Sequence, residues 1–107
     1  MANKKASMKE PAADGQLVEL PQDCRMAALP ALQTQLLATL KQPRCILAAA
    51  EVARVDTTAL QLLVAYRREA AAAGREIHWQ GVSETLREAA ALLGLAQVLE
   101  LPAPIPA

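Results

Sequence analysis

The stretch that most restricts the fold is Arg44 to Tyr66, RCILAAAEVARVDTTALQLLVAY. Cys45 to Ala50 is a continuous apolar run of strand length, the pattern of a strand covered on both faces. Glu51 to Val55 carries the chain to a turn. Asp56 and Thr57 are residue types that cap helix N-termini, and Ala59 to Ala65 is a run of helix formers. A strand that feeds a helix through a polar turn leaves N–H groups unpaired at the helix start. Two hydroxyls, on Thr57 and Thr58, fall there. The unpaired N–H groups and the helix dipole favour negative charge, so an exposed hydroxyl at this point is a suitable carrier for phosphate.

The flanking segments follow from this unit. At 107 residues the chain is one domain, able to bury roughly 60–70% of its unfolded surface around a single core. Met1 to Gly15 is polar, contains Pro11 and Gly15, and is predicted to be a disordered tail. Gln16 to Leu20 reads as a short strand and Pro21 to Met26 as a connection. Ala27 to Leu40 is the first helix, with Leu29, Leu32, Leu36 and Leu40 on one stripe, Leu37 widening it, and Thr39 lying off it. The second helix, Thr57 to Ala73, has a stripe of Leu60, Leu63, Val64 and Ala71, with Leu62 and Tyr66 to the side and Gly74 as its stop. Glu76 to Gln80 is a strand that puts Ile77 and Trp79 on one face and His78 on the other. Ser83 caps a third helix, Glu84 to Leu93, with Leu86, Ala89, Ala90 and Leu93 inward, and Gly94 ends it. Leu95 to Leu101 closes the core as a last strand or short extended piece. The Pro-rich tail 102–107 follows, so the folded domain is expected over residues 16–101. Strands alternating with helix-length segments predict a largely parallel sheet with right-handed crossovers, its few helices mainly on one face.

Composition removes several function classes. Eleven basic residues balance eleven acidic ones, and the chain has one Trp, one Tyr and no Phe. That leaves neither the basic patch nor the stacking platforms of a nucleic-acid surface. Cys24 and Cys45 form no CxxC, and with a single His no metal site of usual ligand count is expected. They read as reduced thiols of a cytoplasmic protein. No secretory h-region and no apolar run near the ~20 residues of a membrane span is present. There is no Gly-rich phosphate loop, and no cofactor is expected. Asp56 has no second carboxylate or His at a recognisable spacing, which argues against an enzyme. His78 reads as a surface side chain and Trp79 as core or an interface anchor. Arg67 and Arg68 read as a solvated helix face; their alternative is a charged rim around a docking patch centred on Leu60 and Val64. The simplest role for Thr57 is to cap the helix or bond its backbone.

The strand LVEL, the helix ALQTQLLATL, the strand and turn CILAAAEVARVDTTALQLLVAY, the strand EIHWQGV and the closing SETLREAAALLGLAQVLEL together resemble a STAS domain. That is the family of anti-sigma factor antagonists and of the regulatory ends of anion transporters. The most specific piece is Val55-Asp56-Thr57-Thr58-Ala59-Leu60, similar to the family's Asp-Ser-Ser-Gly-Leu turn, with Ala59 in place of the common Gly. The resemblance implies an α/β fold with a mixed, largely parallel sheet of about four to five strands and about three helices. It implies Thr57 as the candidate phosphoacceptor and Asp56, Thr58, Ala59, Leu60, Val64 and Arg67 as an interaction surface. The partners it implies are an anti-sigma-type Ser/Thr kinase, a chemosensory component, or the ATPase of a lipid-transport ABC transporter. A homodimerisation module is the remaining reading.

Overall fold

The computed structural model describes residues 15–102; of the tails predicted at 1–15 and 102–107, residues 1–14 and 103–107 lie outside the described residues. Gly15, assigned to the tail by sequence, instead opens the first strand, β1 (Gly15–Glu19). The apolar run beyond Pro43 becomes β3 (Arg44–Ala49) and EIHWQGV becomes β5 (Glu76–Val82). These form a parallel three-stranded sheet in the order β1–β3–β5. A second, minimal parallel pairing joins β2 (Asp23–Cys24) to β4 (Arg54–Val55). Its two strands lie inside the segments 21–26 and 51–55, both read from sequence as plain connections. A short 3-10 turn, Met26–Ala28, leads into α1 (Leu29–Thr39), with Pro30 in its first turn. The other helices are α2 (Thr57–Ala72) and α3 (Glu84–Leu92).

Register fixes which side of the sheet is the core. Val18, Leu47 and Trp79 are neighbours across β1, β3 and β5 and therefore share a face. On β3 that face holds Cys45, Leu47 and Ala49, all buried, whereas Arg44, Ile46 and Ala48 on the other face are only half-buried. Their neighbours Leu17 and Glu19 on β1 and His78 and Gln80 on β5 are exposed. The expectation of a strand covered on both faces is thus corrected: an apolar run marks β3 as central, and one face alone meets the main core. Leu32, Leu36, Leu60 and Leu63 pack there, each fully buried Leu contributing roughly 1.5–3 kcal/mol.

The helices bury different residues from those a stripe of leucines suggests. Leu37 is 52% exposed and Leu93 is 47% exposed, while Thr39 is 1% exposed. On α2 the buried positions are Ala59, Leu60, Leu63, Tyr66 and Ala70, so Tyr66 is core and Ala70 replaces Ala71. For Thr39 and Tyr66 the reason is a polar contact between helices. Thr39 Oγ1 donates to Leu36 O at 2.7 Å and so must accept from the Tyr66 hydroxyl, 2.5 Å away. Both groups are satisfied and can be buried together.

The last segment is a turn and not a strand. Leu99 N–H donates to Leu95 O at 2.9 Å and Leu101 N–H to Ala96 O at 3.2 Å, a winding that gives a sheet nothing to pair with. Leu99 is fully buried, and its carbonyl accepts the Trp79 indole N–H at 2.9 Å. Trp79 is therefore a partly buried anchor with its N–H satisfied.

Candidate functional site

The turn between β4 and α2 is held by one carboxylate. Asp56 sits in extended backbone at the N-cap of α2. Its Oδ1 accepts from Ala59 N–H at 3.0 Å and from Thr58 Oγ1 at 2.7 Å, and its Oδ2 accepts from Met26 N–H at 2.9 Å. One side chain thus caps α2 and also ties down the start of the 3-10 turn before α1. The Thr58 hydroxyl, then the Ala59 N–H, hold the Asp56 carboxyl below its ordinary range against an opposing effect of burial, and the Met26 N–H and the Arg25 charge add to the lowering. Asp56 is an ionised structural group whose oxygens are already engaged.

This division of labour leaves Thr57 free. Thr58 is half-buried and bonded to Asp56, whereas Thr57, the first helical residue, is exposed and makes no side-chain hydrogen bond among the described residues. The capping role expected for Thr57 belongs to Asp56, with Thr58 in support.

Thr57 stands at one end of a groove of about 380 Å³. Along α2 the groove is lined by Gln61, Val64, Ala65 and Arg68, and the opposite wall is Leu93 and Leu95. The α2 positions recur at helical spacing from Thr57, so they form one stripe, exposed except for the half-buried Val64. From Thr57 to Arg68 the stripe runs roughly 16 Å at the helical rise. Leu92, 86% exposed, adds apolar surface next to Leu93 in the chain. On the other flank of the turn, a hollow of about 530 Å³ is lined by Asp23, Arg25, Met26, Ala27, Ala28 and Asp56. There Arg25 grips Asp23 through Nε and Nη2 at 2.7 and 2.8 Å, and this bond lowers the Asp23 carboxyl. Their charges cancel locally.

The interaction surface expected from sequence is brought together in part. Thr58 and Val64 are half-buried at the turn and in the groove. Ala59 and Leu60 are 0% and 1% exposed, so their side chains belong to the core and not to a docking patch. Arg67 is not solvated: its side chain is 13% exposed and its Nη2 meets Glu100 Oε1 at 3.0 Å. Arg68 takes the rim position instead. Gln61, Ala65, Leu93 and Leu95 were missed. The signal for the first two was spacing from Thr57, whereas the wall depends on a turn that the sequence does not announce. His78 is exposed beside Glu76 Oε1 at 3.1 Å. Cys24 and Cys45 are buried free thiols, each pushed up mainly by burial. Among the described residues no three His, Cys, Asp or Glu side chains cluster as metal ligands, and no helix is long and apolar enough to cross a membrane.

Residues 9–101 match the protein-family model described as "Mlab, STAS domain". Among solved structures, a sulfate transporter family protein from Wolinella succinogenes superposes with a TM-score of 0.68 at 19% identity, covering 85% of this chain and 75% of that one. At that identity the likeness bears on the fold alone. No curated protein matches the chain in sequence.

Proposed function

The chain belongs to the STAS domain family, and from that premise we propose that it is a non-enzymatic adaptor that docks on a partner protein through the Thr57 groove and is released by phosphorylation of Thr57. Domains of this family serve as regulatory and interaction modules. The observation that carries the reading is the free, exposed hydroxyl of Thr57 at the end of a largely apolar groove, between Asp56, which caps α2, and Thr58, which is bonded to Asp56. A phosphate there adds about −1.5 to −2 charges with three acceptor oxygens. The N-terminus of α2 tolerates that charge in the free domain. A partner seated over Val64, Leu93 and Leu95 would have to desolvate it, beside the charge of Asp56.

The partner class is an anti-sigma-type Ser/Thr kinase or a chemosensory component. A second reading is a small subunit bound constitutively to the ATPase of a lipid-transport ABC transporter, with Thr57 unmodified. The family description that names Mlab favours it. The test is co-purification from cells with tagged wild type, Thr57→Ala and Thr57→Glu. The switch predicts a kinase among the captured proteins, a phosphate mass on Thr57 in wild type, and loss of capture in Thr57→Glu. The transporter reading predicts an ATP-binding subunit captured by wild type with Thr57 unmodified. Retention of every partner by Thr57→Glu overturns docking at this groove.

A further inference from the structure

One wall of the groove is continuous with the segment Leu95 to Pro102, and that segment is held by a mixture of good and poor contacts. The good ones are the burial of Leu99, the Trp79 indole bond to Leu99 O at 2.9 Å, the Arg67–Glu100 ion pair at 3.0 Å, and a hydrogen bond from Arg87 Nη1 to the Pro102 carbonyl. The poor ones are specific. Glu100 has a φ of 55°, a left-handed conformation that costs a residue with a Cβ. Arg67 Nη1 and Arg87 Nε are buried with no hydrogen-bond partner, Arg87 Nε having only the Glu84 carboxylate at 3.9 Å, and a buried donor without a hydrogen bond forfeits its hydration. Swinging the segment outward would hydrate both guanidinium groups and relax Glu100. It would cost the Leu99 socket, the indole bond, the Arg67–Glu100 ion pair and the Arg87 bond to the Pro102 carbonyl. Because Leu95 to Pro102 pairs with no strand, the sheet has no backbone hydrogen bond to lose to it.

We propose that Leu95 to Pro102 is a latch that opens as a unit while the sheet stays folded, and that its opening moves the Leu95 wall of the Thr57 groove. Control of docking rests on the function proposed above; the opening itself does not. Regions that open below the global unfolding free energy show it in native-state hydrogen exchange. The amides of Leu99, Glu100 and Leu101, all hydrogen-bonded within the turn, are followed by NMR in the full chain beside those of β3. They are expected to exchange at least about tenfold faster than the β3 amides. Glu100→Gln, at an exposed side chain, keeps size and backbone but removes the ion pair. It should speed the latch amides by about fivefold further and leave β3 unchanged. Exchange of the latch in step with β3, or equal acceleration of both by Glu100→Gln, overturns the latch. The same variant in the co-purification, with Thr57→Glu as docking control, separates the two ideas. If Thr57→Glu retains its partners the groove is not the docking site, and the exchange data alone decide whether the latch exists.

Discussion

Asp56 shows how much one side chain can carry at a strand-to-helix turn. It satisfies two N–H groups and a hydroxyl from three chain positions, and all three interactions prefer the ionised form. Its folded-state pKa is depressed, so the carboxylate contributes stability that is fully present above the unfolded pKa of about 3.9. That contribution is lost as pH falls through the lower folded value. Asp56→Asn keeps an acceptor oxygen and removes the charge. The variant should melt a few degrees lower at neutral pH, and its melting temperature should fall less steeply than wild type below about pH 4. Thermal melts from pH 7 to pH 2 check this. Parallel acid profiles for the two proteins would remove Asp56 from the account. The capping role was readable from the sequence because Asp before a run of helix formers is a strong local signal. The bond to Met26 was not, since it joins positions thirty residues apart.

At the scale of elements, the α1–α2 contact depends on a pair that hydrophobic patterning excludes. The Tyr66 phenol is pushed far above its ordinary value of 10.0, first by burial and then by the Cys45 thiol. A raised acid pKa contributes stability that is present below the unfolded value and lost as pH rises. As the chain has a single Tyr, its absorbance change in alkali should coincide with loss of helical circular dichroism above about pH 10. A phenolate signal that develops while the helices stay intact would contradict its burial. Tyr66→Phe should cost about 1 kcal/mol, since Thr39 keeps its bond to Leu36 O but loses the one it accepts. Another element-level device is the irregularity in β5. Gly81 has a φ of 77°, and a Cβ there would lie 3.0 Å from the Ala50 Cβ, next to the register shift at Ala48/Ala49. Gly81→Ala should therefore destabilise by roughly 1–2 kcal/mol from backbone alone, measured by urea unfolding. These features explain which parts of the fold were legible. β3, α2 and the stops at Gly74 and Gly94 announce themselves through local composition. Thr39, Tyr66, Leu37 and Leu93 do not, because helical spacing marks an apolar side but cannot say which polar groups find partners across it. LAQVLEL reads as a strand by its leucines, yet Leu95 and Leu99 sit one helical turn apart, and that spacing decided the outcome.

For the whole molecule, fold and docking place separable demands on the same turn. The sheet presents one face to the core, and α1 and α2 cover it, so α2 has an inner side built from Leu60, Leu63 and Tyr66 and an outer side that begins at Thr57. A change on the outer side should leave the inner side untouched. Thr57→Glu places a negative charge at the first helical position, where the dipole makes an acid worth about 0.3–1 kcal/mol. Asp56, adjacent and ionised, offsets part of that gain by like-charge repulsion. The variant should therefore match wild type in circular dichroism and melt within a few degrees of it, or slightly higher at low salt, with the difference shrinking as salt screens both charges. Thr57→Leu at the same position tests the opposite property: it adds apolar area to the groove without charge, so it should preserve stability and partner capture alike. If instead Thr57→Glu unfolds the domain, Thr57 is part of the scaffold, and loss of partners in that variant would report only a missing fold. Intact stability together with lost capture, set against retained capture in Thr57→Leu, is the pattern that assigns the effect to charge at the mouth of the groove.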